Sequence, residues 1–193
     1  MTAFSTHKYE RSNPSVCVFC ASSDHVAEIY TRTARSLASA MVSQGLTLVY
    51  GGGNNGLMGE LSAEMYRNNG RIVGVITQEL KNLGYAYEGA DEMIVTRSMR
   101  ERKSVMEDLA DAFISLPGGF GTLEELLEII TFKQLGLHKK PIVILNVNGF
   151  FNNLLRQFET GYKENFIDTD CRDIYFITEN VEEGIDYIGN YID

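Results

Sequence analysis

Short apolar runs alternate along this chain with longer amphipathic stretches. The runs cover residues 16–20, 46–50, 72–76, 112–116, 142–147 and 174–178. Unbroken runs of this length, rich in Val, Ile and Leu, suit strands buried on both faces, as in a parallel sheet. Between them, apolar positions three and four apart predict helices over 27–44, 57–69, 99–109, 122–137, 151–164 and 181–191. Gly45 and Gly70 follow two of these helices where a C-terminal cap favours glycine. The stretch 77–91, with Gly84 and Gly89, has weaker periodicity and reads as a loop crossing the ligand side of the sheet, ending in a further strand at 93–96. Repeated β-α units predict an α/β fold, a Rossmann-like three-layer sandwich with a doubly wound parallel sheet. At 193 residues, one domain is expected: a flexible N-terminal tail over 1–14 and a single nucleotide-binding domain over 15–193.

Charge narrows the ligand. Lys and Arg number 17 against 26 Asp and Glu, a formal net charge of −9. A protein that coats nucleic acid needs many cationic contacts to phosphate, so that class is excluded. A small anion held locally is not. No apolar stretch has the roughly 20 residues of a membrane helix, and the first residues lack the apolar core of a secretory signal, so a cytoplasmic chain with no membrane partner is expected. Three cysteines, Cys17, Cys20 and Cys171, argue against a disulfide framework. Cys17 and Cys20 have metal-like CxxC spacing, but inside a strand they point to opposite faces and read as core. His7, His25 and His138 lack ligand spacing, and the acidic residues at 168, 170 and 173 read as a solvated turn, so no metal is expected.

Glycine marks the candidate site. GGGNNGLMGE begins at Gly51 as the strand LTLVY ends, and PGGFGTLEE begins at Pro117 after AFISL. Gly51, Gly53 and Gly56 fit GxGxxG, a weak pattern alone, and they follow the second strand where a dinucleotide fold uses the first. Two such loops at the carboxyl ends of parallel strands flank a crevice where backbone amides converge on an anion. Thr122 and Glu125 form a capping-box pattern, which leaves two roles for Glu125: helix cap, or a carboxylate beside the anion site. Ser98 and Glu101 form a second box. It places Arg100, Arg102 and Lys103 in the first turns of a helix, where cations oppose the dipole by about 0.3–1 kcal/mol each. A charge pattern that costs helix stability points to work outside the helix.

CVFCASS, YGGGNNGLMG, MRERK and PGGFGTLEELLE, in this order, closely resemble the LOG ("Lonely Guy") family, and LGLHKKPIVILNVNGFF continues the likeness. The resemblance implies a cofactor-independent hydrolase that cleaves the N-glycosidic bond of a purine nucleoside 5'-monophosphate, AMP or an N6-modified (cytokinin) relative. It also implies a homodimer or larger homo-oligomer. The family's older lysine decarboxylase label has no matching pyridoxal phosphate lysine motif here. By resemblance, Arg102 and Glu125 fall on the catalytic positions, and Lys103, Gly118, Gly119, Gly121, Thr122 and Thr131 on positions linked to nucleotide binding. Ser22, Gly52, Gly53, Gly56, Glu88, Met99, Phe120, Leu123 and Glu124 complete the expected substrate-binding set. The chain departs from the family pattern at Arg100, often His, and at Ala21, often Gly. Gly84 stands in direct register with a ligand-contacting Glu of the family, with Glu88 nearby. Two other classes compete: a noncatalytic carrier of a nucleotide or pterin cofactor, and a dinucleotide oxidoreductase. The latter wants an acidic residue at the end of the next strand, where Thr77 and Gln78 stand with Glu79 slightly beyond, and it ranks last.

Overall fold

In a computed structural model of the chain, residues 13–192 are described. The elements run β1 (Ser15–Phe19), α1 (Glu28–Ser43), β2 (Thr47–Tyr50), α2 (Gly56–Arg67), β3 (Ile72–Thr77), α3 (Gln78–Asn82), β4 (Glu92–Thr96), α4 (Met99–Leu109), β5 (Ala112–Ser115), α5 (Phe120–Gln134), β6 (Ile142–Leu145), α6 (Asn152–Lys163), β7 (Phe176–Thr178) and α7 (Val181–Ile192). Seven strands form one sheet in the order β4-β3-β2-β1-β5-β6-β7, and every pairing is parallel. From β1 the chain winds outward to β4, then returns to β5 beside β1 and winds the other way. The expected doubly wound sheet is therefore present, and its switch point lies between β1 and β5, where Phe19 pairs with Ser115.

Each face of the sheet carries its own core. Ala34, Leu37 and Met41 of α1, Leu57, Leu61 and Met65 of α2, and Ile185 and Ile188 of α7 cover one face. Met106 of α4, Leu126, Ile129 and Ile130 of α5, and Phe158 and Tyr162 of α6 cover the other. Cys17 belongs to the second core and Cys20 to the first, as a strand period of two requires. Among the described residues no helix is long and apolar enough to cross a membrane.

Three expectations need correction. The stretch 77–91 is not all loop: Thr77 caps α3, its side chain accepting from the Leu80 N–H at 3.3 Å. The last strand starts at Phe176 because residues 169–173 wind into a 3-10 turn. After α2 it is Asn69, at φ 57°, that takes the left-handed position expected of Gly70. Gly70 is needed instead for close packing, since a Cβ there would lie 2.5 Å from Val42. The expected tail, 1–14, falls almost wholly outside the described residues; at its end the Pro14 carbonyl accepts from Thr47 N–H at 2.8 Å, where β2 begins.

Candidate active site

The carboxyl ends of the strands meet at the switch point, where Ala21 after β1 donates to Pro117 after β5 at 3.2 Å. Above this junction lies a cavity of about 490 Å³, in the size range of small-molecule sites. Its walls come from the segments that follow β1 (Cys20, Ala21, Ser22), β2 (Gly53, Asn54, Asn55, Met58), β3 (Ile76, Leu80, Tyr85) and β5 (Gly119 to Thr122, Glu125). Met99 and Arg102 of α4 close it.

The charges inside are paired. Ser98 caps α4 by accepting from Glu101 N–H at 3.2 Å, and the Glu101 carboxylate reaches back to Arg97 N–H at 2.8 Å. This sets the first turn so that Arg102 points inward, where only 7 % of it is exposed. Its Nε donates to the Val75 carbonyl at 2.8 Å, and Nη1 donates to Glu125 Oε1 at 3.1 Å. Glu125 is itself almost enclosed, with 12 % of its side chain exposed. Burial raises its pKa above the ordinary carboxylate value, and the Arg102 charge and hydrogen bond only partly oppose this. The guanidinium lies against Gly51, where any Cβ would run into Nη2. Close approach of the arginine thus accounts for one glycine of the triplet.

The two glycine loops do different work. α5 begins at Phe120 with Gly119 as its cap, so Thr122 sits inside the first turn and the capping box expected of Thr122 and Glu125 does not form. Thr122 is buried, and its hydroxyl occupies the space that a Cβ on Gly118 would need. Among the described residues the N–H groups of Phe120, Gly121 and Thr122 have no protein acceptor, and all three residues line the cavity. They form an open, positively polarised helix end. At α2 the corresponding amides are taken: Gly56 donates to Asp24 Oδ1 at 2.7 Å, and Leu57 and Met58 donate to the Ala21 carbonyl at 2.9 and 3.3 Å. In this structure the Gly56 amide is therefore directed to Asp24 rather than left open to a ligand.

Of the expected site residues, the cavity brings together Ser22, Gly53, Met99, Arg102, Gly119, Phe120, Gly121, Thr122 and Glu125. Gly52, Gly56, Glu88, Gly118, Leu123, Glu124, Lys103 and Thr131 lie off its wall. Lys103 is held by Glu124 and, at 3.0 Å, by Glu128. Burial would lower its pKa, but these two carboxylates raise it on balance, so the ammonium braces α4 against α5. Thr131 is exposed on α5 and bonds back to the Leu127 carbonyl at 2.7 Å. Glu88 is exposed. The sequence reading missed Cys20, Ala21, Asn54, Asn55, Met58, Ile76, Leu80 and Tyr85. The asparagines stand inside GGGNNG and were open to inference; Leu80 and Tyr85 carried no signal, because their segment is aperiodic.

The chain is similar to known proteins in both sequence and fold. A family model described as "Possible lysine decarboxylase" matches residues 58–188. A protein of Oryza sativa subsp. japonica named as a probable cytokinin riboside 5'-monophosphate phosphoribohydrolase of the LOG type is 45 % identical over 169 residues, covering 88 % of this chain and 74 % of the relative. An Arabidopsis thaliana protein named as the same enzyme type is 42 % identical over 176 residues, covering 91 % and 77 %. The chain belongs to the LOG family. Among solved structures, the molybdenum cofactor binding protein from Rippkaea orientalis superposes with a TM-score of 0.71 at 23 % identity, covering 94 % of this chain and 98 % of that one. The molybdenum cofactor carrier protein from Chlamydomonas reinhardtii gives 0.70 at 20 %, covering 93 % and 98 %. At these identities the likeness is one of fold.

For this LOG-family chain the decarboxylase description has no support in the cavity. Pyridoxal chemistry needs a lysine amine as Schiff base partner, and no lysine lines the wall. A covalent cysteine mechanism is also disfavoured, because burial pushes the Cys20 thiol far above its ordinary value and only the thiolate attacks.

Proposed function

We propose that this chain hydrolyses the N-glycosidic bond of a purine nucleoside 5'-monophosphate, releasing the free base and ribose 5-phosphate. The observation that carries the reading is the Arg102–Glu125 pair, enclosed in one cavity with the open N-terminus of α5. The 5'-phosphate accepts hydrogen bonds from the amides of Phe120, Gly121 and Thr122 and takes the favourable helix dipole. This holds the ribose beside Glu125, whose Cα is three to five residues further along the same helix, about 4.5–7.5 Å at 1.5 Å per residue.

As the bond from C1' to the base nitrogen lengthens, positive charge grows on the sugar. The Glu125 carboxylate stabilises that charge and accepts a proton from the attacking water. The water oxygen bonds to C1', and the base leaves with the electron pair of the broken bond and takes up a proton. Arg102, anchored to Val75 O, holds the Glu125 carboxylate in place and orients the nucleotide. The roles of the remaining wall residues follow from position: Ser22, Gly53 and Met99 shape the cavity, and Gly119 and Gly121 let phosphate approach the backbone.

AMP and N6-modified AMP are the substrates proposed. Incubation with AMP, isopentenyladenosine monophosphate, GMP and CMP, followed by chromatography, is expected to show free adenine-type base. Retention of nucleotide through purification with no base released from any of the four would reduce the protein to a carrier. Glu125→Gln is expected to lower kcat by about 10²–10⁴-fold, the usual worth of a positioned proton acceptor, while the variant still unfolds in a single cooperative transition.

Residues 15–193 act as one unit in this reading, in the cytoplasm, where three unpaired cysteines are at home. The active form is a homodimer. Its support is the outward side of α5 and the turn after it, where Phe120 is 94 % exposed and Leu127, Leu135 and Leu137 are also exposed. Light scattering is expected to give twice the 21.6 kDa chain mass, and the Leu135→Asp, Leu137→Asp double variant a single chain.

A further inference from the structure

Tyr85 is an aromatic residue without an evident structural job. It is 44 % exposed and belongs to neither core, whereas Tyr87, two residues on, packs against one. Among the described residues neither its ring nor its hydroxyl has a partner. Its backbone, by contrast, is held tightly. Tyr85 N–H donates to Leu80 O at 3.2 Å, and its carbonyl accepts from Asn54 N–H at 3.0 Å. Asn54 Nδ2 donates to Gly84 O at 3.1 Å, and an isolated antiparallel bridge joins Gly53 to Ala86. Gly84, at φ +81°, makes the turn that delivers the ring. The segment is therefore a strap pinned onto the glycine loop, and it presents Tyr85 to the cavity.

Position gives this ring a use. The sheet order places β5 three strands from β3, about 14 Å at the usual interstrand spacing. An extended nucleoside 5'-monophosphate spans most of that distance. With phosphate on α5 beyond β5 and the ribose over Glu125, the base reaches the segment that follows β3. There Ile76, Leu80, Tyr85 and Met99 give the wall an apolar part, beside Asn54. A flat heterocycle has π-faces that such a wall accommodates, and a ring with free faces stacks on it.

We propose that Tyr85 is a specificity-determining residue, the platform on which the nucleobase stacks, and that it favours purines over the smaller pyrimidines. This rests on the hydrolase reading above. The test uses calorimetric titration on a Glu125→Gln background, so that no turnover occurs, with AMP, CMP and ribose 5-phosphate as probes. With Tyr85 present, AMP is expected to bind more tightly than CMP, and CMP more tightly than ribose 5-phosphate. Adding Tyr85→Ala is expected to weaken AMP about tenfold, to bring AMP and CMP together, and to leave ribose 5-phosphate unchanged. Tyr85→Phe keeps the π-face and is expected to bind all three as before.

If AMP binds equally well with and without the ring, or if Tyr85→Ala weakens AMP and ribose 5-phosphate by the same factor, the platform is disproved while the hydrolase reading stands. If neither AMP nor ribose 5-phosphate binds with Tyr85 in place, the hydrolase reading falls and the platform with it.

Discussion

Burial and the neighbouring guanidinium pull the Glu125 carboxylate in opposite directions, and burial wins, so its pKa lies above the ordinary value. Two consequences have opposite signs. In the proposed reaction Glu125 works as the anion, so kcat is expected to rise with pH through the raised folded-state pKa, which a pH–rate profile reads directly. Stability moves the other way. Between the unfolded pKa and the raised folded one, the native state binds more protons than the unfolded state, and its stability falls as pH rises. Glu125→Gln removes this slope, so the melting-temperature difference between variant and parent is expected to shift in the variant's favour as pH rises through that window. A flat difference would mean that Glu125 is not the titrating group. Both members of this pair were legible as residues: an arginine in the wrong turn of a helix, and a glutamate after a glycine loop. Their contact was not, because 23 positions separate them and only the packing of α4 beside α5 closes that distance.

At the scale of elements, one short pattern occurs twice with different outcomes. Ser98 and Glu101 start α4 as the pattern requires, while Thr122 and Glu125 lie inside α5. The difference is tertiary. Gly119 can take the extended cap conformation and Thr122 packs beneath Gly118, so α5 starts two residues earlier and Glu125 is released from the helix end. A four-residue pattern holds no information about such packing. Asp24 shows the same limit: 32 residues from Gly56, it supplies the acceptor for α2 that Asn55, at the cap position, does not. Asp24→Ala therefore removes a cap from a distance, a loss of about 0.5–2 kcal/mol. For a domain of this size that corresponds to roughly 1–8 °C in Tm at about 2–4 °C per kcal/mol. A thermal melt of the variant checks it, and an unchanged Tm would mean that solvent replaces Asp24 without cost.

For the whole molecule, alternating apolar and amphipathic segments were enough to identify a doubly wound sheet, because strands buried on both faces leave unbroken apolar runs. The order of strands about β1 is not written in that alternation, yet it decides which loops share a cavity. It is set by where each helix finds an apolar face to cover. The result places the cationic end of α5 and the buried Arg102 inside a chain of net charge −9. An anion that binds there interacts with the native state alone, since unfolding scatters the amides of α5, Arg102 and the glycine loops along the sequence. Binding must therefore raise stability by RT ln(1 + [L]/Kd), about 2.7 kcal/mol at a hundredfold excess over Kd. At about 2–4 °C per kcal/mol, the Glu125→Gln chain saturated with AMP is expected to melt roughly 5–11 °C higher than without it. Adenosine, which lacks the phosphate, is expected to give a much smaller shift. Equal shifts for AMP and adenosine would show that the open end of α5 is not where the phosphate sits.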